Sequence, residues 1–173
     1  MNASRTRFGA PWGRVVRILS LAAVAILGGL PVMALTAFEM PAIARYSLVI
    51  TPVLTLLVSA AFVVRGYELA PGMLIVQRLG WATRIPLAGL KTAVIDPEAM
   101  ASSVRIFGNG GLFVISGLFR NNALGMYRAY VTDLRLAIVM RWADRTIVIS
   151  PDAPEAFLEQ LRAQGLLAPS IKA

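Results

Sequence analysis

The sequence contains no cysteine and no histidine, and it is poor in acidic residues. Without cysteine there is no disulfide framework, no thiolate metal ligand and no thiol nucleophile. Without histidine the commonest metal ligand and the commonest general base are both missing. These absences exclude Ser-His-Asp hydrolysis and the usual zinc chemistry. We therefore expect a non-enzymatic protein with no catalytic residue, no metal and no cofactor.

Charge is scarce and mostly of one sign. Only 15% of the 173 residues are charged and 57% are hydrophobic, against about 25% charged and about 45–50% apolar in typical soluble domains. There are 17 lysines and arginines but 9 aspartates and glutamates, which gives a net charge of +8. So apolar a chain is not disordered, and its composition predicts a membrane protein with some soluble mass.

Two uncharged stretches carry the apolar excess. Residues 18–38 and residues 46–64 are 21 and 19 residues long and contain no charged side chain. At 1.5 Å per residue, a helix of about 20 residues crosses the hydrocarbon core of a membrane. The seven residues 39–45 between them permit only a tight turn. We therefore predict a transmembrane helical hairpin over residues 18–64.

Basic residues flank this predicted hairpin on one side. The segment 1–17 carries Arg5, Arg7, Arg14 and Arg17 and no acid. Because lysine and arginine mark the cytoplasmic flanks of membrane spans, we predict a basic cytoplasmic tail and a multi-pass chain with both termini cytoplasmic. A cleaved signal peptide is the alternative, although its apolar region is usually only about 7–15 residues long.

Small and hydroxylated residues recur at helical spacing within the hairpin. The first span contains the pair Ala25 and Gly29, and the second carries Thr51, Thr55 and Ser59 along one face. Such residues let helices approach closely and form hydrogen bonds across the contact. We predict that these five residues pack the hairpin, with a dimer surface or a substrate path as alternatives.

The remaining chain, 65–173, alternates short strands with turns and ends in an amphipathic helix. The pattern predicts a hairpin over 136–150, followed by a helix that is capped by Asp152 and terminated by Gly165. Five glycines lie within 105–125. They lack the lysine and the helix of a nucleotide loop, so we interpret them as bends and bulges of a curved sheet.

Several motifs of this half occur together in one family. They are Tyr67-Glu68-Leu69, Gly72-Met73-Leu74-Ile75, Ile85-Pro86-Leu87, Tyr130-Val131-Thr132, and Ile147-Val148-Ile149-Ser150-Pro151 leading to Pro154-Glu155-Ala156-Phe157-Leu158. Residues 65–164 resemble the bacterial pleckstrin-homology-like (PH-like) domains of small membrane proteins. The resemblance implies a membrane-anchored α+β fold: two transmembrane helices, then a PH-like antiparallel β-barrel or sandwich capped by a C-terminal α-helix, with a tail over 165–173.

The resemblance also implies a function without catalysis. We expect a binding or scaffolding module on the cytoplasmic face of the bacterial inner membrane, associating with the bilayer and with a protein partner or a second copy, and not with nucleic acid. The alternative is recognition of anionic lipid by the basic face of the domain. Its candidate headgroup ligands are Arg65, Arg78, Arg84 and Lys91, because the first hairpin turn carries no cation.

Overall fold

The computed structural model describes residues 5–36 and 40–167. Two long helices lie near the start of the chain: α1, Arg14–Thr36, and α2, Ala42–Ala61. Both are long and apolar enough to cross a membrane, and most of their large apolar side chains are exposed. The two helices contact each other, so they form the expected hairpin.

The helices are displaced toward the N-terminus relative to the predicted spans. α1 begins at Arg14 and α2 at Ala42, each four residues before the predicted start. α2 also ends earlier, at Ala61, because the chain that follows is extended and enters a sheet. Residues 37–39, which include the end of the first predicted span and the start of the predicted loop, lie outside the described residues.

Within the described residues, ten strands, one 3-10 turn and a third helix make up the rest of the fold. The strands are β1 Thr6–Gly9, β2 Val64–Ala70, β3 Met73–Arg78, β4 Ala82–Pro86, β5 Thr92–Ile95, β6 Val104–Gly110, β7 Ile115–Asn121, β8 Gly125–Val131, β9 Ile138–Arg141 and β10 Thr146–Ile149. The 3-10 turn is Leu134–Leu136, and the helix α3 is Pro154–Ala163. The predicted tail 165–173 is described only as far as residue 167.

The strands form two sheets in a sandwich-like arrangement that does not close into a barrel. The four-stranded sheet has the order β1-β2-β3-β4, and the six-stranded sheet has the order β5-β9-β10-β8-β7-β6. All neighbours are antiparallel except β10 and β8, which are parallel. The predicted antiparallel sandwich with a C-terminal helix is therefore confirmed, with one parallel pair within it. After β8 the chain crosses over to β9. The β9–β10 hairpin then places β10 between β9 and β8 in the sheet.

The basic segment before the helices is not only a tail, because it contributes strand β1 to the domain. β1 pairs with β2 across a separation of about sixty residues, with Arg7 opposite Glu68 and Phe8 opposite Tyr67. Phe8 is buried and its ring meets Phe157 of α3 edge-on at 5.1 Å. The hairpin is therefore an insertion between two adjacent strands of one sheet, and it leaves and re-enters the same fold.

Two apolar cores lie on either side of the six-stranded sheet. The first fills the space between the two sheets and α3, and it includes Leu69, Leu74, Ile138, Phe157 and Leu161. The second lies on the opposite face and is built from Phe119, Tyr127 and Val148 together with Val16 of α1. The start of α1 is thus part of the domain core and not only a connection to the rest of the helix.

The C-terminal helix ends as predicted but begins differently. Gly165 adopts φ +71°, and the amides of Gly165 and Leu166 donate to the carbonyls of Arg162 and Leu161 at 2.8 and 3.0 Å. This is the hydrogen-bond pattern of a glycine-terminated helix. At the other end the N-cap is Ala153, which forms no side-chain cap. The expectation that Asp152 caps α3 is wrong, since the backbone amide of Asp152 donates to Gly9 in β1 and so fixes that residue beside the strand.

Candidate functional site

The domain is fixed to the start of α1 by hydrogen bonds. The Gly13 amide donates to the Thr132 carbonyl at 2.8 Å. One turn and a half into the helix, the buried Ser20 hydroxyl donates to the Gly111 carbonyl at 3.2 Å and accepts from the Phe113 amide at 2.7 Å. The turn between β6 and β7 therefore lies against the side of α1, at the beginning of the apolar helix.

The end of α2 is held in a similar way by residues of the first sheet. The indole of Trp81 donates to the Ala61 carbonyl at 2.8 Å, and its ring lies edge-on to Phe62. Arg78 donates to the Phe62 carbonyl at 2.8 Å. These donors satisfy carbonyls that a helix C-terminus leaves free, and the cation lies at the negative end of the helix dipole.

A cavity of about 910 Å³ opens beside this junction. Its lining combines the last turn of α2 with strands β3, β6, β7 and β8, and it contains Val58, Ser59, Phe62, Arg78, Arg105, Phe107, Gly108, Asn109, Leu112, Ser116, Gly117, Leu118, Arg128 and Tyr130. The set includes three arginines, several apolar side chains and a few hydroxyl and amide groups. None of the described lining residues is acidic. The cavity therefore combines three cations with apolar side chains, some of which belong to a candidate membrane helix.

Arg78 is the buried member of the three arginines, with a relative exposure of 7%. Besides Phe62, its guanidinium donates to the hydroxyls of Thr83 and Ser116 at 3.3 and 3.2 Å. It also lies 4.5 Å from the centroid of the Trp81 ring and 5.2 Å from that of Tyr130. Burial lowers the pKa of the Arg78 guanidinium, which is nevertheless charged at neutral pH. Among the described residues, no carboxylate forms an ion pair with it.

Arg105 and Arg128 add two exposed cations to the same cavity. Arg128 lies opposite Leu118 on the neighbouring strand, and Leu118 in turn lies opposite Phe107. The pairing of β6 and β7 shifts register between Arg105 and Phe107. Because the extra residue of such a bulge changes which side chains share a face, Arg105 lines the cavity although its partner Phe119 belongs to the second core.

In the glycine-rich part of this lining, the backbones of β6 and β7 approach each other closely. Gly108 and Gly117 lie opposite each other and both have positive φ, at 116° and 144°. A β-carbon on either one would come within 2.3 Å of backbone atoms of the other strand. These glycines are therefore required for the β6–β7 pairing, in agreement with the prediction that the glycine-rich stretch forms bends and bulges and not a phosphate loop.

The comparison with known families agrees with this architecture. Residues 65–165, more than half of the chain, match the family model described as bacterial PH domain. The chain belongs to the bacterial PH domain family. No curated protein and no solved structure matches it significantly. The membership supports a binding or scaffolding module.

The four cations predicted to bind a lipid headgroup do not form one cluster on the PH domain. Arg78 lines the cavity beside α2. Arg84 lines a second cavity of about 490 Å³, between β4, β8 and β10, which shares Arg128 with the first. Arg65 and Lys91 are exposed and line neither cavity. The basic site of the PH domain therefore contains two residues that the sequence analysis missed, Arg105 and Arg128.

The residues predicted to pack the hairpin lie mostly on its exposed side. Ala25 and Gly29 are exposed, and the space beside Gly29 is open. Thr51 and Thr55 are also exposed, and the Thr55 hydroxyl donates to the Thr51 carbonyl of its own helix at 2.8 Å. Ser59 is half-buried and lines the first cavity. In a single chain these residues therefore do not carry the α1–α2 contact, and their role in a contact with a second chain stays a prediction.

The PH domain buries two acids among the described residues, and Glu68 of β2 is the less exposed of them, at 2%. Its carboxylate accepts from Arg5 at 3.3 Å, from Arg7 at 3.2 Å and from the amide of Gln77 at 2.8 Å. Two of the four arginines in the N-terminal segment are therefore ion-paired to a buried carboxylate, although their own side chains are largely exposed. Their charge therefore has a role within the fold, in addition to the orientation signal predicted from the sequence.

Proposed function

We propose that this PH domain protein is a non-catalytic binding and scaffolding module, anchored by its helical hairpin at the cytoplasmic face of the bacterial inner membrane. Its proposed target is a protein chain, in the simplest case a second copy. The observation that carries the proposal is the free edge of β6 in the six-stranded sheet. The domain is docked against both helices by Ser20, Arg78 and Trp81, so it would present this edge in a fixed orientation.

Two features support the anchoring and its direction. Trp12 precedes α1 and Trp81 contacts the end of α2, so both tryptophans lie at the domain end of the hairpin, as expected of residues at a membrane–water interface. Arg14, Arg17 and Arg65 lie at the same end. An excess of arginine beside a membrane span favours the cytoplasmic side. The domain would therefore face the cytoplasm.

The absence of cysteine provides a direct test of this orientation. A single cysteine at Asp144, in the exposed β9–β10 turn, is expected to react with a membrane-impermeant maleimide only after the cells are permeabilised. Ala42→Cys, at the opposite end of the hairpin, is the matched control and is expected to react in intact cells. Labelling of Asp144→Cys in intact cells would contradict the proposed orientation.

The free edge of β6 supports the protein partner. In the described part of the chain, β6 pairs only with β7, and its other edge has no strand beside it. Val104, Ile106 and Phe107 on this strand are 68%, 50% and 78% exposed. An unpaired edge with apolar side chains is a template for addition of another strand. The bulge beside Phe107 would restrict such a pairing to a short segment.

Cross-linking tests the proposed pairing of two copies. Ile106→Cys in the reconstituted full chain is expected to give a covalent dimer with a short thiol cross-linker. Val94→Cys, equally exposed on the edge strand β5 of the same sheet, is the control and is expected to remain monomeric. A monomer with Ile106→Cys, or equal dimer formation at both positions, would rule out a second copy at this edge.

Recognition of anionic lipid is the second candidate, and Arg78 is the observation that favours it. A buried cation without an acidic partner among the described residues is unusual, because burial of an uncompensated charge is costly. The basic face formed by Arg65, Arg84 and Lys91 adds little to this argument, since these side chains do not converge with Arg78.

A further inference from the structure

The three arginines of the cavity beside α2 form a concentrated positive charge without a matching acid. Arg78, Arg105 and Arg128 line one cavity of about 910 Å³, and its described lining contains no aspartate or glutamate. Guanidinium groups bind phosphate through paired, charge-assisted hydrogen bonds. The cavity is also within the size range of small-molecule sites, about 300–1,000 Å³.

Arg78 is held ready for a ligand by neutral groups alone. Its hydrogen bonds reach the Phe62 carbonyl and the hydroxyls of Thr83 and Ser116, and the Trp81 and Tyr130 rings lie against its guanidinium. These contacts fix the side chain and partly offset its desolvation. They leave its charge uncompensated, so an anion that enters the cavity would supply the missing counter-charge.

The walls of the cavity indicate what carries that anion. Val58 comes from the last turn of α2, Phe62 directly follows that helix, and Phe107 of β6 is 78% exposed. The site is thus continuous with the apolar surface of a helix that is long and apolar enough to cross a membrane. A soluble anion would gain nothing from these walls, whereas an amphiphile would place its phosphate on the arginines and its chains along α2.

We propose that this cavity binds the phosphate headgroup of an anionic membrane lipid. The site discriminates against zwitterionic lipids, because its described lining offers no carboxylate to an ammonium group. The proposal assumes that the hairpin is anchored in the membrane, as proposed above, but it does not depend on strand addition at β6. If Ile106→Cys forms no cross-link, the lipid preference is still expected. If the lipid preference is absent, the cross-link is still expected.

The test uses the full chain in detergent with an equimolar mixture of phosphatidylglycerol and phosphatidylcholine that have the same acyl chains. Native mass spectrometry counts the lipids that remain bound. We expect about a tenfold preference for phosphatidylglycerol. The preference is expected to fall to about parity in Arg105→Gln/Arg128→Gln, whose substituted side chains are exposed and leave the fold intact.

The matched control is Arg120→Gln/Arg141→Gln, which removes the same charge from exposed strand positions outside the cavity. It is expected to keep the full preference. Equal retention of both lipids by the natural chain would overturn the proposal, and so would an equal loss in the control pair. The second outcome would mean that net charge, and not this cavity, attracts the lipid.

A further arm distinguishes a lipid headgroup from a free phosphate. The detergent-solubilised chain is heated with inorganic phosphate or with phosphatidylglycerol, and its melting temperature is measured. The lipid is expected to raise the melting temperature, whereas inorganic phosphate at the same concentration is expected to leave it unchanged. An equal rise with inorganic phosphate, lost in Arg105→Gln/Arg128→Gln, would overturn the lipid as the source of the anion.

Discussion

Glu68 on β2 and Arg78 on β3 are two buried charges with opposite surroundings. Glu68 accepts hydrogen bonds from Arg5, Arg7 and Gln77, so two cations compensate its charge. Arg78 donates only to neutral oxygens and lies against aromatic rings. The carboxylate of Glu68 joins strand β1 to β2, whereas the guanidinium of Arg78 lines a cavity at the end of α2.

The difference predicts a structural role for the Glu68 charge and agrees with the binding role proposed for the Arg78 charge. Removing one partner of a compensated buried pair leaves the other charge without compensation, which destabilises the fold strongly. Removing a buried charge that has no ionic partner also removes its own desolvation cost, which offsets much of the lost hydrogen bonding. Variants near Glu68 should therefore change stability most, and variants near Arg78 should change ligand binding most.

The largest expected effect comes from Arg5→Gln/Arg7→Gln. This variant leaves Glu68 buried with Gln77 as its remaining partner. We expect it to lower the free energy of unfolding by about 2–3 kcal/mol, less than for a fully buried pair because both arginines are largely exposed. Thermal unfolding of the full chain in detergent, followed by circular dichroism, measures the change.

The third substitution Glu68→Gln, added to that pair, is the control. It removes the uncompensated charge and is expected to restore most of the lost stability, although Glu68→Gln alone is destabilising. If the triple variant is as unstable as the double variant, the loss comes from the detached strand β1 and not from the buried carboxylate.

The sequence could not predict this ion pair because its partners lie about sixty residues apart. Four strand residues within an arginine-rich segment have the composition of a solvated tail, and Thr6–Gly9 becomes a strand only because β2 supplies its hydrogen bonds. Turn residues in the sequence predicted correctly those elements whose contacts lie close together along the chain. The β9–β10 hairpin and the end of α3 at Gly165 were both predicted from turn residues within a few positions.

A smaller effect on stability is expected for Tyr67→Phe. Tyr67 precedes Glu68 in β2, and the substitution removes a buried hydroxyl group that carries no charge at neutral pH. The Tyr67 hydroxyl donates to the Tyr130 carbonyl at 2.6 Å and accepts from the Ser150 amide at 3.1 Å. Its removal leaves both backbone groups without this partner in the core, and we expect a loss of about 2 kcal/mol in the free energy of unfolding.

The same tyrosine predicts a loss of stability at high pH. Burial raises the pKa of Tyr67 to about 12, whereas an unfolded tyrosine titrates near about 10. Below about pH 10 both states hold the proton, and as the pH rises toward about 12 only the unfolded state releases it. Stability should therefore fall over this range in the natural chain and fall less in Tyr67→Phe. Parallel pH profiles would contradict this role for Tyr67.

Arg78→Met should change stability still less, by about 1 kcal/mol. Methionine fills much of the same volume, and loss of the hydrogen bonds to Phe62, Thr83 and Ser116 is offset by the removed desolvation cost. The lipid preference should disappear although the domain remains folded. A loss of stability as large as that of Arg5→Gln/Arg7→Gln would show that Arg78 is a structural charge as well.

The cavity was predictable only in part because its members come from distant elements. Arg78 was recognised as a basic residue near the first hairpin, but Arg105 and Arg128 have no distinguishing local pattern. They meet Arg78 through the pairing of β6, β7 and β8 and through the bulge beside Phe107. The end of α2 completes the site by contacts with Arg78 and Trp81, which the composition of an apolar helix does not reveal.

Asp133→Asn should have the smallest effect, because Asp133 is a buried acid whose cationic partner, Arg135, is largely exposed. The two side chains meet at 2.7 Å, and the hydrogen bond from Arg135 lowers the pKa of Asp133. The paired carboxylate therefore stabilises the fold above about pH 4, and this contribution is lost as the pH falls below that value. Asparagine retains the acceptor for the Arg135 amide, so only the ion pair is lost, at about 0.5 kcal/mol at neutral pH. The unfolding curves of the two chains should converge in acid, and a constant difference at all pH values would mean that packing, not charge, is what the substitution changed.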